Sequence, residues 1–331
     1  MSNNFFNKEL NRRTLLTAST SLLAAPLISS LPSLANAAAP FLGVSKPTFY
    51  RFELGAFEIT TISDGEALIE KVYPIFGANA SEKQVETLLT DNLMPARLFN
   101  PTFLPTVVNT GKELILFDTG NGENGFAPRP IAGNLAKQLA VAGFKPEQID
   151  IVVITHGHSD HIGGIKEKGK EAFPNAQYVI SDIEFNFWDN DDKLPKGLEP
   201  FAKPFKTNTS GLKEKFKFIK PGDEVVSGIE AVKAYGHTPG HLAFHIESKG
   251  KEMLLMADCA HHHVLSLARP DWHMVFDADK EQGAQTRKTI FDMAAKDKLP
   301  IIGFHMPFPG IGFIEKRDAM GYRWVPNSYP L

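Results

Sequence analysis

The chain has 331 residues, 43% of them apolar and 22% charged, with a formal net charge of −3. Those values exclude disordered and fibrous classes, leave length for a large buried core, and offer no cationic excess for nucleic acid. The lone cysteine, Cys259, excludes an internal disulfide, so burial has to stabilise the fold, and the thiol reads as a small buried apolar filler.

At the start, Arg12-Arg13-Thr14-Leu15-Leu16 precedes an Ala/Ser/Leu-rich stretch interrupted by Pro26 and Pro32 and ending in Ala35-Asn36-Ala37. This reads as an export signal, residues 1–37, with a small-residue cleavage site. A membrane anchor would need about 20 uninterrupted apolar residues. The paired arginines resemble the twin-arginine type, whose pathway moves folded proteins; a plain Sec signal is the alternative. The domain is then 38–331, periplasmic or secreted. Loss of Lys8, Arg12 and Arg13 against Glu9 moves its net charge from −3 to −5.

Phe57–Ile62 alternates as a half-buried strand and meets a turn at Asp64-Gly65. A hairpin follows, Thr106–Asn109 and Glu113–Phe117 about Asn109-Thr110-Gly111, ending in Asp118-Thr119-Gly120. Between Gly133 and Gly143 the spacing of Leu135, Leu139 and Val141 predicts a helix. Ile149–Ile154 is apolar and β-branched, as a buried parallel strand should be. Beyond it come a short strand at Tyr178–Ile180, an aromatic segment Phe185–Trp188, and an irregular stretch from Asp189 to Ser210 with Pro195, Pro200 and Pro204, an excursion suited to covering a pocket. Strands resume at Gly228–Tyr235, Leu242–Ile246 and Met253–Met256. An amphipathic helix spans about Asp279 to Lys296, with Ile290, Phe291, Met293 and Ala294 in the core. No internal repeat is present.

Directly after the buried strand stands Thr155-His156-Gly157-His158-Ser159-Asp160-His161, four metal-ligand side chains in six positions on a loop at a strand's carboxyl end, where open α/β sheets place their chemistry. Three later segments set a His or Asp just past a strand: Tyr235-Gly236-His237, Met256-Ala257-Asp258 and Gly303-Phe304-His305. Seven such donors exceed one tetrahedral zinc but suit two ions sharing a bridge. His241 reads as structural rather than as a ligand. No serine-hydrolase nucleophile elbow is found.

On these residues the chain resembles metallo-β-lactamase-fold hydrolases, whose motif is His-x-His-x-Asp-His followed by a lone His, a lone Asp and a final His. The resemblance covers essentially all of residues 38–331 and implies a single-domain, four-layer αβ/βα sandwich. It further implies that His156, His158 and His237 hold one divalent ion, that Asp160, His161 and His305 hold the second, and that Asp258 bridges them. Asp160 and Asp258 are then the catalytic residues, and Asp118 supports the ligand loop from behind. Zinc is the expected metal, with manganese, iron or cobalt as alternatives for such nitrogen and oxygen ligands.

Gly236–His241, Pro307–Gly312, Gly321–Pro326 and Ser63-Asp64-Gly65 resemble the methyl parathion hydrolase group within that fold. The chain departs from the group at Cys259–His263, where an apolar stretch is expected, and at Phe313, where a His is expected. Alignment with the group implies that Phe126 and Trp188 line a leaving-group pocket, with Phe201 or Phe205 as further candidates, and it implies a homodimer. In the run His261 to His263 a histidine either donates to the substrate, with His263 the candidate, or sits on the wall; an extra metal site is a third option.

The expected function is attack by a metal-bridging hydroxide on a neutral small-molecule ester, either a phosphotriester or a lactone or aryl ester. A β-lactamase is an alternative on the same fold. A non-catalytic periplasmic metal-binding protein is an alternative from another class.

Overall fold

The computed structural model describes residues 41–331 apart from 124, 128, 191, 193, 318–320 and 330. The proposed export signal, 1–37, lies outside the described residues. Lys46–Leu331 forms one compact unit.

Two seven-stranded sheets make up its centre. The first runs Phe49–Leu54, Phe57–Ile62, Thr106–Asn109, Leu114–Phe117, Ile151–Val153, Gln177–Ser181, Phe216–Ile219, antiparallel over its first four strands and parallel from Leu114–Phe117 onward. The second runs Glu224–Val226, Ile229–Lys233, Leu242–Ser248, Lys251–Ala257, Ile301–Gly303, Ile311–Lys316, Tyr322–Pro326, with one parallel pair, Lys251–Ala257 beside Ile301–Gly303.

Side-chain alternation along the strands builds the layers. In Leu114–Phe117, Ile115 and Phe117 face the second sheet while Leu116 faces outward. In Lys251–Ala257, Met253, Leu255 and Ala257 face the first sheet while Leu254 and Met256 turn out. The outward face of the first sheet is covered by the helices Leu135–Val141, Asp182–Asp189 and Glu199–Thr209, and that of the second by Lys280–Asp297 through Ile290, Phe291 and Ala294. The result is the expected αβ/βα sandwich with mixed sheets. Cys259 is buried in the outer layer of the second sheet, its thiol pKa pushed up by burial. No helix among the described residues is long and apolar enough to cross a membrane.

Several local expectations are corrected. In the helix Leu135–Val141, Leu135 and Leu139 are buried but Val141 is 56% exposed. Phe57–Ile62 is more than half-buried: Ile59 to Ile62 are all inside, because the strand lies between two others. The stretch 189–210 is not irregular throughout, since Glu199–Thr209 is a helix. Pro200 sits in its first turn, where a missing N–H costs nothing, and Pro204 lies inside it. The helix Glu82–Asp91, closed by a capping box between Ser81 and Gln84, has no counterpart in the sequence reading.

Candidate metal centre

The strand ends of both sheets converge at one edge, and backbone strain marks two of them. Asp118 ends Leu114–Phe117 at φ 59°, and Ala257 precedes Asp258 at φ 43°, left-handed values that turn each acid out of its strand. His158 leads into a short helix, Ser159–Ile162, that carries Asp160 and His161.

All seven expected donors come together. Atoms of His156, His158, His237 and Asp258 lie within 4.8 Å of one another, and so do those of Asp160, His161 and His305. Asp258 stands between the two groups. Its Oδ2 is 3.3 Å from His237 Nε2 and 3.3 Å from His305 Nε2, and its Oδ1 is 3.3 Å from His161 Nε2. Asp160 Oδ2 is 3.6 Å from His161 Nε2 and 3.5 Å from His305 Nε2.

Partners behind the rings fix which nitrogen faces inward. Asp118 Oδ2 meets His161 Nδ1 at 2.8 Å, while its two oxygens accept from the Thr155 amide and hydroxyl, each at 2.9 Å. His305 Nδ1 donates to the Thr102 carbonyl at 2.9 Å. His237 Nδ1 lies 3.0 Å from Asp277, a buried carboxylate that also accepts from Arg287 at 2.8 Å. His241 is structural: its Nδ1 donates to the Ala234 carbonyl, and its Nε2 accepts the Asp258 amide.

Three carboxylates that organise this edge lay outside the expected site set. Glu184 is fully buried and accepts from the Gly157 and Gly240 amides, the Thr238 hydroxyl and the Trp188 indole, tying the first ligand loop to that of His237. Burial raises its pKa, while those four donors pull it down. Asp277 stands 40 residues from His237, so no local motif announces it. Asp64, known from sequence only as part of a shared turn, accepts the amides of Asn121, Gly133 and Leu135.

Do these residues fit divalent cations? His161 Nε2 and Asp258 Oδ1 are buried, face each other, and have no hydrogen-bond partner. Such orphaned acceptors are costly to bury unless a ligand satisfies them. Electrostatics agrees. Burial works against protonating His161, yet Asp258, Asp118 and Asp160 raise its pKa well above the usual imidazole range. Burial is likewise outweighed at His237, which Asp258 and Asp277 raise to about 9. Burial and the neighbouring imidazoles hold His156 and His158 well below the usual range, in the neutral form that binds metal, while the carboxylates beside His161 and His237 make a field that attracts cations. The donor set and its chemistry therefore suit two divalent ions.

A cavity of about 260 Å³ opens onto this edge. Its apolar wall includes Ile69, Phe99, Phe103, Phe126, Phe201 and Phe276, and Asp160, Asp258, His158, His237 and His305 form its polar end. Phe126 and Phe201, 49% and 48% exposed, stand at it as candidates should. Trp188 is placed otherwise. Its ring is 2% exposed, packs beneath His158 and donates to Glu184, and it does not line the cavity. Phe205 is likewise core. His263 borders a neighbouring groove that also reaches His305, whereas His261 is the member of the His261–His263 run that lines the cavity.

Comparison with known proteins places this geometry. The family model of the metallo-beta-lactamase superfamily matches residues 105–305, which hold every donor named above. An N-acyl homoserine lactonase of Bacillus cereus is 25% identical over 185 residues, 51% of this chain and 67% of the relative. Among solved structures, AidC, a dizinc quorum-quenching lactonase in complex with the product N-hexanoyl-L-homoserine, is 30% identical with a TM-score of 0.79, covering 85% of this chain and 98% of that one. The hydrolase AbOPH of the beta lactamase superfamily is 29% identical with a TM-score of 0.79, covering 86% and 99%. The chain belongs to the metallo-beta-lactamase superfamily, as a metal-dependent hydrolase.

Proposed function

We propose that the protein hydrolyses lactones of the N-acyl homoserine type, with His156, His158, His237 and Asp258 holding one divalent ion, most naturally zinc, and Asp160, His161, His305 and Asp258 the other. One observation carries the reading: a double cluster of imidazole and carboxylate donors opens into an aromatic cavity lined by no lysine or arginine among the described residues. Such a wall suits an apolar chain attached to a neutral ester and offers nothing to a charged phosphate. The similarity to a dizinc lactonase over most of the chain supports the same class.

When bound, the two ions would lower the pKa of a shared water towards about 7 and polarise the substrate oxygen. The chain's own residues do the rest. Asp258 joins the two halves and holds their spacing. Asp160, which lines the cavity through a carboxylate 14% exposed, is placed to take the proton of the attacking hydroxyl on its Oδ2 and hand it to the leaving alkoxide as the ring opens. The aromatic wall excludes water and holds the chain of the substrate.

Phosphotriesters are the second reading, favoured by the apolar aromatic wall of the cavity and by the likeness of Gly236–His241 and Pro307–Gly312 to methyl parathion hydrolases. The deciding experiment compares kcat/KM for a panel of N-acyl homoserine lactones and for an aryl dialkyl phosphate triester, with metal-stripped protein as control. A lactone preference is expected. A triester preference would put the second reading first, and turnover of neither above the control would overturn both. Residues 1–37 are proposed as a cleaved export signal, which N-terminal sequencing of the exported protein would test.

A further inference from the structure

We propose that Phe304 is a positioning residue of the metal centre, a flat apolar backing that fixes the plane of the His161 imidazole and so sets how tightly Asp160, His161 and His305 hold their ion; the inference rests on the two-ion reading above. Phe304 is buried and does not line the substrate cavity. Its ring is stacked on His161, with centroids 3.9 Å apart and planes 28° apart.

An imidazole turns about a terminal torsion with broad preferences, so its plane is fixed by what surrounds it rather than by its own rotamer. At His161 one edge is held by Asp118 at Nδ1, 2.8 Å away, and Nε2 points at Asp258 Oδ1 across 3.3 Å. A hydrogen bond at one edge still lets the ring tilt. Its two faces prevent that, because His156, at 4.0 Å and 51°, covers the face that Phe304 leaves. Two rings that close to one centroid cannot share a face. In the other half the aromatic neighbour of His158 is Trp188, which stands edge-on at 5.7 Å and 61°, so the flat backing belongs to one ion.

Phe304 is itself held in place. Its ring packs edge-on against His305, with centroids 5.0 Å apart at 87°, and against Phe103 at 6.3 Å, within an apolar cluster that includes Ala127 and Ala132. Thr102 pins the turn that carries it: the Thr102 hydroxyl donates to the Met306 carbonyl at 2.6 Å, and the Thr102 carbonyl accepts from His305 Nδ1. One phenyl ring therefore touches both imidazoles of this half, which stand 5.8 Å apart at 78°, and spaces them. A void of about 10 Å³ adjoins Phe304 and Asp118, so a side chain without a flat face would leave His161 room to tilt.

The test replaces Phe304 by Leu and, separately, by Met, which keep an apolar bulk but offer no flat face, and by Tyr, which keeps the ring. Stepwise zinc titration gives the two affinities, the visible spectrum of the cobalt-loaded protein reports how the ions are coordinated, and denaturant unfolding measures the fold separately. Phe304→Leu and Phe304→Met should each weaken one of the two ions by about 10-fold, the low end of what a partner behind a ligand contributes, and shift the cobalt bands. Phe304→Tyr should match the parent in both readouts. Lower stability in the Leu and Met variants, with both affinities and the spectrum unchanged, would make Phe304 ordinary core and overturn the proposal, leaving the two-ion reading intact. Equal weakening of both ions would overturn it as well. A parent protein that binds fewer than two ions per chain would overturn the two-ion reading, and the proposal with it.

Discussion

The two halves of the donor cluster are braced by different chemistry. In the half formed by Asp160, His161 and His305, His161 leans on Asp118, whose carboxylate also holds Thr155 at the head of the other half's loop. In the half formed by His156, His158 and His237, the last leans on Asp277, which Arg287 neutralises from the helix Lys280–Asp297. One brace therefore reaches both halves, and the other serves a single ring. A carboxylate backed by a buried guanidinium also lends less negative charge to its imidazole than one held by neutral donors. The halves should thus differ in how tightly, and how independently, they hold a cation.

The most severe way to break that distinction is to remove what the halves share. Asp258→Ala should leave the fold largely intact by circular dichroism, and lower kcat/KM by more than the roughly 1000-fold attributable to a single transition-state donor. Retention of most activity would sink the dinuclear reading. Trp188→Ala strikes beneath one half: it should destabilise the protein by about 3–5 kcal/mol in denaturant unfolding, as buried tryptophan truncations do, because the indole fills the layer under His158 and satisfies Glu184. A stable variant with altered KM alone would return Trp188 to the pocket.

The braces themselves sharpen the comparison. Asp118→Asn should weaken both ions in a metal titration, by about 10- to 100-fold, and Asp277→Asn should weaken one ion only, towards the low end of that range. Equal effects on both ions from both variants would erase the asymmetry. The smallest effect is expected at the cavity wall, where Phe201→Ala should raise KM for long-chain lactones a few-fold, about 1 kcal/mol, the low end of what one lost apolar contact costs, and leave short-chain lactones unchanged.

Much of this was legible in the chain. Four donors on one loop form a local pattern, and His237, Asp258 and His305 each follow a strand-like segment whose end is readable without a structure. The layer order followed from the family resemblance that the donor motif carries. Pro200 and Pro204 misled the reading of 189–210, because a proline in a first turn is helix-compatible and the packing of Ala202 and Phe205 against the core decides the outcome.

What the sequence determined by itself is the set of donors, encoded in spacing over a few residues, and, through the family resemblance that this spacing carries, the sandwich that gathers them. Only the tertiary structure decided which of three consecutive histidines meets the cavity, that Trp188 packs under His158 while Phe126 and Phe201 border the cavity, and that Glu184 and Asp277 hold the donor loops. Those roles depend on the direction of a side chain and on partners tens of residues away, and neither leaves a period in the sequence. Direction is set by the turn that Ser266 holds and by the collision a Cβ at Gly157 would make with the Trp188 ring, contacts that exist only once the chain has folded.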